Sequence, residues 1–140
     1  MIKIEASKQN IPIHKNTYDC LAEEYNKRWR DYLKHQEKVL TPFKDILMEK
    51  IGEKAEILDI GCGVGLDLHI LDKFGFKTHG FDLSNEMVNF AKINVPNAKV
   101  SIVNFLEHTP KKQFQGIVMN AFIHLFPKKE VPFILNKLKE

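Results

Sequence analysis

Glu56-Ile57-Leu58-Asp59-Ile60-Gly61-Cys62-Gly63-Val64-Gly65, followed by Leu66, Asp67 and Leu68, is the stretch that decides the fold. The apolar run Ile57, Leu58 and Ile60, interrupted by one acid, predicts a buried parallel strand. Glycines at alternate positions (Gly61, Gly63, Gly65) then let the backbone turn tightly and approach a ligand closely, because no Cβ intervenes. Helical periodicity begins directly after them, at Leu66, His69, Ile70 and Phe74. Strand, glycine loop and helix N-terminus together form a site for nucleotide-like ligands at the carboxyl end of an open sheet.

The neighbours of the loop narrow the ligand. A dinucleotide fingerprint requires glycine at position 66, where this chain has Leu, and no Gly-Lys-Ser/Thr follows to make a phosphate-cradling loop. Asp59, two residues before the first glycine, would repel a pyrophosphate and attract a cation. Asp82, at the end of the next predicted strand, suits the two hydroxyls of a ribose. A nucleoside pocket averse to phosphate points to S-adenosylmethionine, which carries a sulfonium and an amino group and no phosphate.

The run from Ile57 to Asp67, with Gly80-Phe81-Asp82-Leu83-Ser84-Asn85-Glu86-Met87, resembles the first two motifs of class I S-adenosylmethionine-dependent methyltransferases. It is similar to the small-molecule branch whose loop reads G-x-G-x-G-R-D; Asp67 keeps the acid and Leu66 replaces the arginine. The resemblance covers residues 17 to 140. It implies a Rossmann-like, doubly wound parallel α/β sheet with N-terminal helices, S-adenosylmethionine as cofactor and a small-molecule methyl acceptor.

The expected cofactor contacts follow from both readings. Gly61, Cys62, Gly63 and Gly65 bring backbone to the methionine part, and Asp59 lies near its ammonium group, with water as a possible bridge. Asp82 accepts from the ribose hydroxyls and Leu83 packs on the adenine face, whereas Asp67 complements its own helix N-terminus. Asn104 and Phe105 stand where the family commonly has an acid and an apolar residue against adenine, so Asn104 offers a weaker, uncharged hydrogen bond. Tyr18, Ala22 and Tyr25 match a family pattern belonging to a flap over the cofactor, which puts Tyr25 in contact with it. The segment Phe114 to Phe126 resembles the strand and turn carrying an Ala-x-x-x-His signature. Gln115 replaces the usual acid there, Asn120 falls near the methyl group, and His124 is the candidate catalytic residue because imidazole titrates near neutrality. The Asn/Asp-Pro-Pro-Tyr/Phe signature of base methylation is absent, which argues against a DNA-modifying enzyme.

A chain of 140 residues allows one domain with a modest core. Net charge is +3 with lysines scattered among acids, which is no nucleic-acid footprint. Two cysteines, Cys20 and Cys62, suggest neither a disulfide framework nor a metal site, and a reduced, cytoplasmic setting follows. Residues 1 to 10 lack the apolar core of a signal peptide, and no apolar run reaches membrane-crossing length, so no membrane partner is expected.

Along the chain, residues 1–15 are expected as a flexible arm, 16–52 as a helical lid and 53–140 as an incomplete cofactor-binding domain. In the lid, Tyr18, Leu21, Ala22, Tyr25 and Trp29 recur at helical spacing after a cap at Asn16 or Thr17. After a break near 31–36, Thr41 is read as the cap and Pro42 as a first-turn residue of a second helix stopped by Gly52. Strands are expected at 56–60, 77–82, 99–103 and 115–120, and helices at 66–74, 85–93 and 128–139. In the resembled family a Pro-Gly-Gly turn and three further strands follow. Here the sheet is expected to be truncated after its fourth strand, leaving Ile117, Val118 and Met119 on an exposed edge. Either that edge pairs with another chain, including self-association, or the chain is the front of a longer enzyme. A catalytically silent binding module is the main alternative function, and a nicotinamide-dependent dehydrogenase a weaker one.

Overall fold

The computed structural model describes residues 5–139. Four parallel strands lie in the order β3-β2-β1-β4, with β1 (Glu56–Ile60) and β2 (Lys77–Asp82) central. β3 (Lys99–Ile102) pairs outside β2, and β4 (Gly116–Val118) pairs outside β1. This is the Rossmann-like arrangement expected, and from β1 onward the strand and helix limits fall within three residues of the sequence reading. Every crossover returns the chain to the same edge, so the loops after β1, β2, β3 and β4 gather at the carboxyl end.

The pleat of β1 explains the core. Ile57 packs with Leu40, Leu47, Ile70 and Leu71 beneath α2 (Leu33–Lys50) and α3 (Leu66–Lys73). Leu58 and Ile60 face the other way, onto Phe105, Leu106 and Ile134, the last on α5 (Val131–Lys137). Burying each such side chain is worth about 1.5–3 kcal/mol. Period two also puts Asp59 on the Ile57 face, behind the glycine loop, where it is fully buried.

Three expectations need correction. Helix α1 (Glu5–Arg28) already runs through most of the expected arm, whose first residues lie outside those described. It is held by a stripe at three- and four-residue spacing: Ser7, Ile11, His14, Tyr18, Ala22, Tyr25 and Trp29. Next, α2 starts at Leu33 after a 3-10 turn over Trp29–Tyr32, so Thr41 and Pro42 lie inside it. Thr41 Oγ1 donates to the Glu37 carbonyl at 2.7 Å instead of capping a new start, and the buried Leu40 and Leu47 hold the helix across the proline. Finally, β4 is unpaired on its outer side among the described strands, but its side chains are covered. Val118 is buried under the α2–α3 layer, and half-buried Ile117 and Met119 pack with the α5 layer. Gly52 does end α2, at φ +86°, with its N–H donating to the Leu47 carbonyl.

Candidate functional site

The glycine loop turns through three left-handed residues, Gly61 at φ +76°, Gly63 at φ +53° and Gly65 at φ +97°, a conformation that costs L side chains dearly. Two of the glycines are also needed for close neighbours. A Cβ on Gly61 would strike Phe122 Cδ2 at 2.6 Å, and one on Gly65 would press on Val95 and Ala91 of α4 (Asn85–Asn94). Gly63 alone faces open space. The loop is fastened to β2, because the N–H groups of Gly61 and Cys62 both donate to the Phe81 carbonyl, at 2.8 and 3.0 Å. Asp82 completes the brace: one carboxylate oxygen accepts from Gly63 N–H at 2.8 Å and the other from Ser84 N–H at 2.9 Å. Ser84 in turn caps α4 by accepting from Met87 N–H.

Above this floor lies a cavity of about 390 Å³, within the range of small-molecule sites. Of the residues expected from sequence, Tyr25, Gly61, Gly63, Asp82, Leu83, Asn104, Phe105, Asn120 and His124 all line it. Asp59, Cys62 and Gly65 do not. Asp59 and Cys62 are buried behind the wall, and Gly65 is turned against α4. His124 lines the cavity as an exposed side chain and is not part of the core. Asn104 folds back on itself, its side-chain oxygen accepting from Leu106 N–H at 3.2 Å.

The roof is α1. Its residues Ser7, Ile11, His14 and Tyr18 join Tyr25 in lining the cavity, and Tyr18 meets Tyr25 edge to face at 6.4 Å. Sequence reasoning missed the first three because they fall in the expected arm; the four-residue stripe they share with Tyr18 was the available signal. Several polar contacts fasten the roof, among them Asn94 Nδ2 of α4 donating to Asn26 Oδ1 at 2.8 Å. Ser7 donates to the fully buried Glu130, and Asp19 accepts from the Ser84 hydroxyl and from Glu86 N–H at the start of α4. Asp19 is partly shielded, which acts to raise its pKa, yet Lys15 and these donors hold it below the ordinary value.

Beneath the cavity the electrostatics are unbalanced. Burial, then the charges of Asp67 and Asp82, push Asp59 well above the carboxylate range. Burial also raises Asp67, although Asn120 Nδ2 donates to it at 2.8 Å, and raises Asp82 despite its backbone donors. Asp59 Oδ2 and Asp67 Oδ1 are buried without a partner. Such a cluster fits a positively charged ligand and disfavours an added anion. Asp67 stands in the first turn of α3, as expected, and also ties the β4 loop to it through Asn120. Beyond Asn120 the loop takes a left-handed residue, Ala121 at φ +50°, and delivers Phe122 onto Gly61.

A family model described as a methyltransferase domain matches residues 32–139. An uncharacterized protein of Methanocaldococcus jannaschii is 35% identical over 91 residues, which is 64% of this chain and 32% of that protein. Phosphoethanolamine N-methyltransferase 3 of Arabidopsis thaliana is 30% identical over 96 residues, 68% of this chain and 19% of that one. The chain thus spans a third or less of these relatives' lengths. Magnesium protoporphyrin IX methyltransferase from Synechocystis PCC 6803, solved with bound S-adenosylmethionine, superposes with a TM-score of 0.73 at 15% identity. That match covers 92% of this chain and 70% of that structure and establishes likeness of fold.

Proposed function

The chain belongs to the methyltransferase-domain family, and from that premise we propose that it binds S-adenosylmethionine and transfers its methyl group to a small molecule. One observation carries the reading: a left-handed glycine loop and a braced carboxylate line a cavity backed by two buried acids, each with one oxygen left without a partner. The cofactor fits those residues, since it brings positive charge and a ribose but no phosphate. When bound, it supplies a methyl group on a sulfonium, which leaves as a neutral thioether once the acceptor's lone pair takes the methyl carbon.

The chain's own residues do the rest. Gly61 and Gly63 admit the methionine part, Asp82 accepts from the ribose hydroxyls, and Leu83 with Asn104 and Phe105 holds the adenine. Asp59 and Asp67, buried behind the wall, gain from a cation in the cavity, which would favour their ionised forms. Asn120 lies at the end of β4 beside the loop, and an imidazole nitrogen of His124 takes the acceptor's proton. The α1 roof excludes water, and most of the rate then comes from positioning. Helix α1 acts as the lid, and α2, packed against β1 and α3, goes with the residues from 53 onward in the cofactor domain. A cytoplasmic setting accords with the two free thiols, Cys20 and Cys62, and self-association along the outer side of β4 remains part of the proposal. Among the described helices, none is long and apolar enough to cross a membrane.

Titration calorimetry with S-adenosylmethionine and with its demethylated product tests the reading. Saturable binding of both at one site is expected, and no heat with either would overturn it.

A further inference from the structure

Resting on that reading, we infer that the methyl acceptor is an uncharged molecule with an apolar or aromatic body, and that the site rejects anionic acceptors. The cavity has two unlike ends. At one, Gly63, Asp82, Leu83 and Asn104 form the nucleoside floor under Tyr18 and Tyr25. The other is walled by Ile11, Leu106, Phe122, Leu125 and Phe126. Its aromatic rings form a continuous surface: Phe105 meets Phe122 at 5.9 Å, and Phe122 meets Phe126 at 5.0 Å. Ile11 of the roof packs into the same cluster.

The polar groups at this end are few and carry no fixed charge. Ser7 has committed its hydroxyl to Glu130, which leaves the imidazoles of His14 and His124. Among the described residues lining the cavity, none is Lys or Arg, and Asp82 is the sole carboxylate. Lys112, Lys137 and Lys139 instead border a second cleft of about 210 Å³, which shares only Ile60 and Phe105 with the cavity, and Lys137 Nζ sits 5.7 Å from the Phe105 ring centroid without lining the cavity itself. A phosphate or carboxylate on the acceptor would therefore lose its water against aromatic walls, find no lining cation to receive it and share the cavity with the Asp82 carboxylate. A neutral ring would stack on Phe122 and Phe126 and present one hydroxyl, thiol or amine to an imidazole.

The inference is tested by binding, so it does not depend on turnover. The protein is first saturated with S-adenosylhomocysteine, then titrated with 4-ethylphenol and with 4-hydroxyphenylacetate, which share a ring and hydroxyl and differ in charge. The neutral phenol should bind at least tenfold more tightly. Equal or tighter binding of the carboxylate, or no binding of 4-ethylphenol at millimolar concentration, overturns the inference. Leu125→Lys, which sets a cation in the aromatic end, should cut the preference at least fivefold, and unchanged preference in a folded variant counts against it. If that variant misfolds, His124→Lys places the cation at an exposed position and is read the same way. Failure of S-adenosylhomocysteine to bind in the first step would instead remove the methyltransferase reading.

Discussion

The two ends of the sheet hold acids in opposite circumstances. At the amino end, Glu56 opens β1, accepts from Lys112 and lies 2.8 Å from His79 Nε2; Lys112 first and His79 second hold its pKa at about 2. At the carboxyl end of the same strand, Asp59 has no cation, stands near two further acids and is raised. Two residues, Ile57 and Leu58, separate a carboxylate the protein has satisfied from one it has left wanting. A buried charge without a partner is costly, so one that stands behind a cavity marks a place for a ligand, whereas the neutral Thr78 hydroxyl left unpaired near the amino end costs far less. The amino end is structural and the carboxyl end is the candidate site.

The sharpest way to break this contrast is Asp82→Asn. The amide would turn a donor toward Gly63 N–H or Ser84 N–H, losing both the loop brace and a ribose acceptor. Calorimetry should show S-adenosylmethionine affinity falling by roughly 30- to 100-fold. Affinity within threefold of the parent would mean the carboxylate faces no sugar.

Next in size is the response to pH and to Asp59→Asn. A carboxyl raised on folding costs nothing below its unfolded pKa of about 3.9 and subtracts stability as pH climbs through the higher folded value. The three site acids are all raised, so they depress thermal stability as pH rises. The same ionisation should favour S-adenosylmethionine, with its sulfonium, over the neutral thioether product. The affinity ratio of the two ligands should therefore shift toward the cation as pH rises, and Asp59→Asn should raise Tm while flattening that shift. A flat ratio in the parent protein would remove the electrostatic account.

The smallest effect belongs to Glu56→Gln. Glu56 has a depressed pKa, so its contribution is present above the unfolded value and lost as pH falls through about 2. At neutral pH its ion pairs are solvent-screened, and the variant should bind cofactor within twofold of the parent with little change in Tm. A loss of binding comparable to that of Asp82→Asn would erase the distinction between the two ends.

Much of this was legible in the chain. The glycines at 61, 63 and 65 announced a loop, and Ser84 a helix start, because each fulfils a backbone requirement within a few residues of itself. Asp82 was legible as a ligand acceptor but not as the loop's brace, since Gly63 is nineteen residues away. Thr41-Pro42 misled because a cap signal is local, while the packing of Leu40 and Leu47 that carries α2 through it is not. The family assignment removes the dehydrogenase reading, as Leu66 had indicated.

What the sequence determined alone was the alternation of strands and helices, the glycine floor and the acids that end β1 and β2, all set by hydrophobic period and short-range backbone geometry. Tertiary structure decided which of those groups face the cavity. It drew Ser7, Ile11 and His14 into the roof, turned Asp59 and Gly65 away and laid Phe122 on Gly61. Such placements depend on contacts between segments tens of residues apart, and local propensity carries no information about them.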